Sequence, residues 1–258
     1  MTLLETQNLG KNFGGLSAVT GFNIAVPPGV IFAIIGPNGA GKTTVINLLT
    51  GLLRPSSGKV LLNGRDMTRA ASHTVARAGV GRTFQNGRLF PRLTVAENIL
   101  VGGNHRTPPG VLSAIIRAGR YAEADREVRE RAATLIGEFG LAEDADRAVG
   151  ALPYGKQRMV EIARALVGQP TLLLLDEPAA GLNSGEAENL IRILDRLRGR
   201  RITMVLIEHN MGLVMRVADR IAVLNFGQKI AEGTPAEVRE DPQVLQAYLG
   251  HGYKHAAV

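Results

Sequence analysis

An α/β fold, with a parallel core sheet, an N-terminal antiparallel β-layer and an inserted helical segment, is what this sequence of 258 residues predicts. The core is read from three apolar runs: Ile31-Phe32-Ala33-Ile34-Ile35, Leu172-Leu173-Leu174-Leu175 and Ile202-Thr203-Met204-Val205-Leu206-Ile207. None alternates polar with apolar residues, the pattern of strands covered on both faces of a parallel sheet. Each run stops abruptly at residues suited to chemistry: Gly36 after the first, Asp176-Glu177 after the second, Glu208-His209 after the third. Ligands of open parallel sheets bind at the carboxyl ends of the strands, so one sheet edge collects these groups. The β-layer is read from residues 3–9, 18–26 and 59–63, short strand-like pieces broken by Gly14-Gly15, Pro27-Pro28-Gly29 and Asn63-Gly64.

Residues 94–168 read mostly as helix. Within 120–139, Val128, Ala132, Leu135 and Ile136 share a face, while Glu127 and Arg131 pair at i,i+4 on the other, worth a few tenths of a kcal/mol. Pro108-Pro109-Gly110 breaks this region before the apolar residues 111–116. The whole is expected to be one domain, 1–258, with a helical subdomain inserted at about 86–168.

Composition narrows the function classes. With no cysteine, disulfides, thiolate zinc sites and cysteine nucleophiles are excluded. The net charge is +7, but the basic residues are scattered and aromatics are only 4%, a poor basis for stacking nucleic-acid bases, so no nucleic-acid partner is expected. No apolar run approaches the ~18 residues of a membrane span. The N-terminal residues lack the pattern of a secretory signal, and a cytoplasmic location is expected.

Gly36-Pro37-Asn38-Gly39-Ala40-Gly41-Lys42-Thr43-Thr44 fits the phosphate-binding loop pattern G-x-x-x-x-G-K-[ST], after a strand and before an expected helix at 45–53. Glycines let backbone N–H groups curl around phosphates, and the helix N-terminus adds partial positive charge. Lys42 is the candidate for the β- and γ-phosphates of ATP, and Thr43 for a hydroxyl ligand to Mg²⁺. The loop alone does not separate a kinase, a GTPase and a transport ATPase. Asp176, ending a buried strand, is the second candidate Mg²⁺ ligand, and Glu177 is placed to polarise an attacking water. Two adjacent carboxylates repel each other unless a cation is supplied. A solvated turn is the competing reading.

With these motifs in place the sequence resembles the ABC ATPases. Gln85, in Arg82-Thr83-Phe84-Gln85-Asn86, falls where that family has its Q-loop glutamine. Leu152-Pro153-Tyr154-Gly155-Lys156-Gln157-Arg158, before an expected helix at 159–167, resembles the family signature L-S-G-G-Q, Ala180-Gly181-Leu182-Asn183 takes the D-loop position, and His209 matches the switch histidine. The segments Glu177-Pro178-Ala179-Ala180-Gly181-Leu182-Asn183 and Gln243-Val244-Leu245-Gln246-Ala247-Tyr248-Leu249-Gly250 look like the ATP-binding subunits of branched-chain amino-acid importers. Urea and short-amide importers are close relatives.

The resemblance implies two subunits paired head to tail, each ATP held between one P-loop and the other subunit's signature (Pro153, Tyr154, Gly155, Lys156 and Gln157). The second ATPase subunit is a paralogue or an identical chain, with the paralogue favoured. Membrane permease subunits are implied as direct partners, a periplasmic or extracellular substrate-binding protein as an indirect one, and the cytoplasmic face of the membrane as the location. The catalytic set carried over is Glu177, His209, Gln85 and Lys42, with Gln85 also at the metal site and linking it to the membrane partner. Phe13 has the spacing of the aromatic that stacks on adenine; core of the β-layer is its competing reading.

The pattern departs at Pro153, where the family has serine, at Tyr154, where it has glycine, and at Asn183, where it has aspartate. Proline offers neither hydroxyl nor N–H to a phosphate, so slow turnover outside the assembled transporter is expected, and Pro153→Ser is expected to raise it. The alternatives are a urea or short-amide importer, a lipid exporter, an ABC ATPase acting on ribosomes or DNA, and a non-hydrolysing nucleotide-binding regulator.

Overall fold

Apolar runs without polar interruption need cover on both faces, and the computed structural model, which describes residues 2–83, 89–103 and 118–249, shows what supplies it. The strands are β1 (Leu4–Phe13), β2 (Leu16–Val26), β3 (Ile31–Ile35), β4 (Ser57–Leu62), β5 (Arg65–Asp66), β6 (Val80–Arg82), β7 (Leu172–Asp176), β8 (Thr203–Ile207), β9 (Arg220–Asn225) and β10 (Gln228–Gly233). Every residue of β3, β7 and β8 is buried. Ile31, Ala33 and Ile35 pack on one face with Leu173, Leu175, Met204 and Leu206; Phe32 and Ile34 pack on the other with Leu172, Leu174, Val205 and Ile207.

The core sheet runs β10-β9-β3-β8-β7-β6. All its pairings are parallel except that of the edge strand β10 with β9. The strand ends of β3, β7 and β8 therefore share an edge, and Gly36, Asp176-Glu177 and Glu208-His209 emerge together. The N-terminal layer is a separate antiparallel sheet, β2-β1-β4-β5. Three core strands went beyond the sequence reading. β6 has only three residues, and β9 and β10 form a hairpin whose turn, Phe226-Gly227, lacks the usual Asn-Gly signal.

The helices are α1 (Lys42–Leu49), α2 (Ser72–Arg77), α3 (Val95–Val101), α4 (Ala118–Glu138), α5 (Tyr154–Leu166), α6 (Ser184–Gly199), α7 (Met211–Val217), α8 (Pro235–Glu240) and α9 (Pro242–Leu249). Helix α1 starts at Lys42 rather than at 45, and it stops early because Gly51 (φ +68°) takes the left-handed conformation that ends helices. Helix α5 starts at Tyr154 rather than at 159, inside the signature-like segment. On α4, Val128, Ala132, Leu135 and Ile136 are buried on the expected face, and Glu127 pairs with Arg131. Between β6 and β7, helices α3, α4 and α5 bury their apolar faces in the same cluster that covers one side of the core sheet. Residues 111–116 lie outside the described residues.

Candidate active site

The loop between β3 and α1 wraps a cleft of about 430 Å³ lined by Asn38, Gly39, Gly41, Lys42, Thr43 and Thr44, with Glu177 entering from the end of β7. The opposite wall is Leu16, Ser17 and Ala18 of β2 and the turn residues Phe226 and Gly227. The loop is fixed from behind. Gly227 donates its N–H to the Ala40 carbonyl at 3.0 Å, and a side chain at Gly41 (φ +101°) would meet the Ala18 carbonyl at 2.5 Å. The Lys42 ammonium is buried and donates to the carbonyls of Gly36 (2.7 Å) and Pro37 (2.9 Å). Burial lowers its pKa, with the charges of Glu177 and Asp176 acting the other way. A buried cation held by two neutral carbonyls and faced by two carboxylates is set up to meet an anion.

Asp176 ends β7 fully inside the protein, and burial pushes its carboxyl above the usual carboxylate range despite the Arg82 guanidinium 3.1 Å away. Arg82 went unnoticed as a site residue in the sequence, since nothing local there places it against a residue 94 positions away. Glu177 adopts φ +47°, a left-handed conformation that strains a non-glycine residue, and its N–H donates to the Ile207 carbonyl at 2.9 Å. His209 Nδ1 lies 3.7 Å from Glu177 Oε1.

Glu208 was read in the sequence as one of the residues suited to chemistry at a strand end, with no partner assigned to it. Its carboxylate is completely buried and accepts three backbone N–H groups: Ala179 at 2.8 Å, His209 at 3.0 Å and Asn210 at 3.2 Å. It thereby ties the segment after Glu177 to the segment carrying His209.

The structure thus brings together the loop 36–44, Asp176, Glu177 and His209. Gln85 lies outside the described residues. Phe13 does not line the cleft: it stands 45% exposed at the β1–β2 hairpin with the Lys11 ammonium 5.1 Å from its ring, so it is not core either. The apolar side chains at the cleft mouth are Leu16 and Phe226. Pro153, Tyr154, Gly155, Lys156 and Gln157 do not line this chain's own cleft. Pro153 is the N-cap of α5 and supplies no side-chain cap, whereas Asn183 caps α6 through a reciprocal box with Glu186, as an aspartate there would. Lys156 turns back to the buried Asp144, which it and Arg147 hold below the usual carboxylate range.

Among the described residues no group of three or more His, Cys, Asp or Glu side chains is placed to hold a metal. Mg²⁺ does not need one, because it binds phosphates through one or two hard oxygen ligands and keeps several waters. The Thr43 hydroxyl and the Asp176 carboxylate are such oxygens, and the repulsion between the neighbouring Asp176 and Glu177 carboxylates is what a cation there would relieve. The residues present fit Mg²⁺.

Fold and cleft define a P-loop ATPase subunit. The ABC transporter profile matches residues 19–180, and the chain belongs to the ABC transporter family. Within that family, residues 228–254 match the profile of the branched-chain amino acid ATP-binding cassette transporters. Among curated proteins, the chain is 44% identical to the high-affinity branched-chain amino acid transport ATP-binding protein BraF of Pseudomonas aeruginosa, over 96% of this chain and 98% of that one. It is 45% identical to LivG of Escherichia coli, a protein of the same description, with the same coverage. Among solved structures, the ADP conformation of an ATP-binding cassette of an ABC transporter superposes with a TM-score of 0.84 at 33% identity, covering 97% of this chain and 99% of that chain. No helix among the described residues is long and apolar enough to cross a membrane.

Proposed function

We propose that this chain is the ATP-hydrolysing subunit of an importer of branched-chain amino acids, acting on the cytoplasmic face of the membrane through separate permease subunits. The observation that carries the chemistry is the meeting of Lys42, Glu177 and His209 where β3, β7 and β8 end. The importer reading rests on BraF and LivG, similar along nearly their whole length.

The loop N–H groups and the start of α1 hold the phosphates, and Lys42 leaves its two carbonyls to neutralise them. Glu177 orients the water that attacks the γ-phosphorus; the bond to the bridging oxygen breaks, giving ADP and phosphate. His209 faces the same carboxylate and is poised toward the γ-phosphate. Thr43 and Asp176 would hold Mg²⁺, which would supply charge neutralisation on the phosphates when bound. The nucleoside rests against Leu16 and Phe226, with Phe13 beyond them on the hairpin.

A second ATPase subunit, identical or a paralogue, offers its own signature segment to this nucleotide, which accounts for Pro153, Tyr154, Gly155, Lys156 and Gln157 lying away from the chain's own cleft. The permease partner presses near the end of β6, where Leu52, His73, Val75, Ala76 and Val80 form an open groove of about 340 Å³. Arg82 lines that groove and also bonds Asp176, a direct route from permease to catalytic edge.

Uptake of radiolabelled leucine and urea in a deletion strain tests the reading. Leucine uptake that is lost on deletion and restored by the wild type but not by Glu177→Gln supports it. Loss of urea uptake alone selects the sister family, and loss of neither points to an exporter.

A further inference from the structure

The signature-like segment is bolted to the loop that carries Glu177 of the same chain. The Arg158 guanidinium, 2% exposed, donates to the Tyr154 hydroxyl at 3.0 Å and, at a longer 3.4 Å, to the backbone carbonyl of Glu177. Its charge is met by Glu161 at 2.6 Å, equally buried, and its guanidinium lies 5.6 Å from the centre of the Tyr154 ring. The Tyr154 ring in turn covers Gly181: a Cβ there would stand 3.0 Å from the ring, and the glycine's φ of +75° excludes most other residues. One residue on, a Cβ at Gly155 would collide at 2.1 Å with the carboxylate of Glu186, the residue that closes the cap of α6. The first turns of α5 thus touch the segment 177–186 at three places.

These contacts matter because Glu177 is strained. Its left-handed backbone is held by its N–H to Ile207 and by its carbonyl, which accepts the Ala180 N–H at 3.2 Å. Arg158 is a further donor to that same carbonyl. A buried ion pair is weak evidence for stability, so the placement of this one between signature and carboxylate needs another account.

We propose that Arg158, with Tyr154, is a positioning residue that sets the Glu177 turn according to the state of the signature, so that the nucleotide of a second subunit, once seated on this signature, readies this chain's own site for hydrolysis. The proposal rests on the ATPase reading above and on its paired arrangement. Tyr154, half exposed, is the side chain a partner meets, and Arg158 is the link inward. The glycine usual in the family at position 154 carries no side chain to make this link.

Removing Arg158 alone leaves Glu161 buried without its partner, so the informative variant is the double Arg158→Met, Glu161→Met, which replaces the pair by apolar groups of similar size. It is compared with Tyr154→Phe and with Arg158→Lys, which keeps the charge but not the fork. In the assembled transporter the double variant is expected to melt near the wild type. Its kcat is expected to fall about tenfold or more with KM for ATP within about twofold, and the Hill coefficient to drop toward one. Tyr154→Phe and Arg158→Lys are expected to share the loss of cooperativity. A kcat within about twofold of wild type in a folded double variant overturns the proposal, as does a rise in KM at constant kcat. Glu177→Gln, run alongside, separates the two readings: a transporter that hydrolyses ATP equally well with it refutes the role of Glu177 in hydrolysis on which the proposal rests, rather than the contact between Arg158 and its carbonyl.

Discussion

The partly buried Arg82 and the buried Asp176 form an ion pair with 3.1 Å between guanidinium and carboxylate, and it ties the short strand β6 to the end of β7. The same guanidinium donates to Asn47 Oδ1 at 2.8 Å and to Thr50 Oγ1 at 3.0 Å, so it also anchors the end of α1. Arg82→Met strands Asp176 as a buried carboxylate, a loss on the order of 3–5 kcal/mol. For a chain of this size that is a fall of roughly 10 °C in Tm. On the proposal that Asp176 is a Mg²⁺ ligand, adding the ion should return part of the loss, and Arg82→Met, Asp176→Asn should melt higher than Arg82→Met alone. Thermal scans with and without Mg²⁺ check both points; an Arg82→Met protein that melts like the wild type refutes the pairing.

Glu208 gives a second prediction. Glu208→Ala leaves the N–H groups of Ala179, His209 and Asn210 without their acceptor, at about 1–3 kcal/mol for a buried unmet group. The two segments it joins carry Glu177 and His209, while the phosphate-binding loop stands on a different strand. Hydrolysis is therefore expected to drop about tenfold or more while ATP affinity is kept. Fluorescent-nucleotide titration beside single-turnover hydrolysis separates the two quantities, and unchanged hydrolysis would sink the idea of a clamp.

What the sequence disclosed followed the range of the interactions. β3, β7 and β8 were legible because burial on both faces removes polar residues from the strand itself, and the loop 36–44 because its geometry is demanded locally by glycines and one lysine. β6 was not legible: three residues carry no period. The roles of Arg82, Arg158 and Glu208 were hidden because each depends on partners brought in by the fold. Lys156 shows the converse. Its motif position suggests a phosphate contact, yet its amine is engaged by Asp144, 12 residues upstream.

The turn between β9 and β10 yields a third. Phe226 (φ +46°) and Gly227 (φ +78°) are both left-handed, the geometry of a type I′ turn, for which Asn-Gly is the favoured pair. A phenylalanine there is strained by about 1–2 kcal/mol, and it remains largely exposed at the cleft mouth. Phe226→Asn should therefore stabilise the fold by about 1 kcal/mol or less while weakening ATP binding through loss of the apolar wall. Tm and ATP affinity moving in opposite directions is the expected result; a stabilised variant with unaltered affinity removes Phe226 from the nucleotide site.

The last prediction concerns acid. Arg200 grips the Glu138 carboxylate with both arms, at 2.6 and 2.9 Å, and joins the end of α4 to the end of α6. That fork, aided by the charge of Arg196, holds the Glu138 carboxyl below the usual glutamate value of 4.5. A carboxyl depressed in the folded state contributes stability that is fully present above its unfolded pKa and is lost as pH falls through the folded one. Arg200 is about half exposed, so solvent screens the pair and the contribution at pH 7 is under about 1 kcal/mol. Glu138→Gln is expected to lower the urea midpoint slightly at neutral pH. The gap from wild type should hold down to about pH 4.5 and close below it, as Glu138 takes up its proton. The Arg196 bond to the Glu138 backbone carbonyl is common to both proteins and cancels in the comparison. Urea unfolding at a series of pH values between neutral and about 3 makes the measurement, and a gap that stays constant across the whole range would show that the pairing carries no charge-dependent stability.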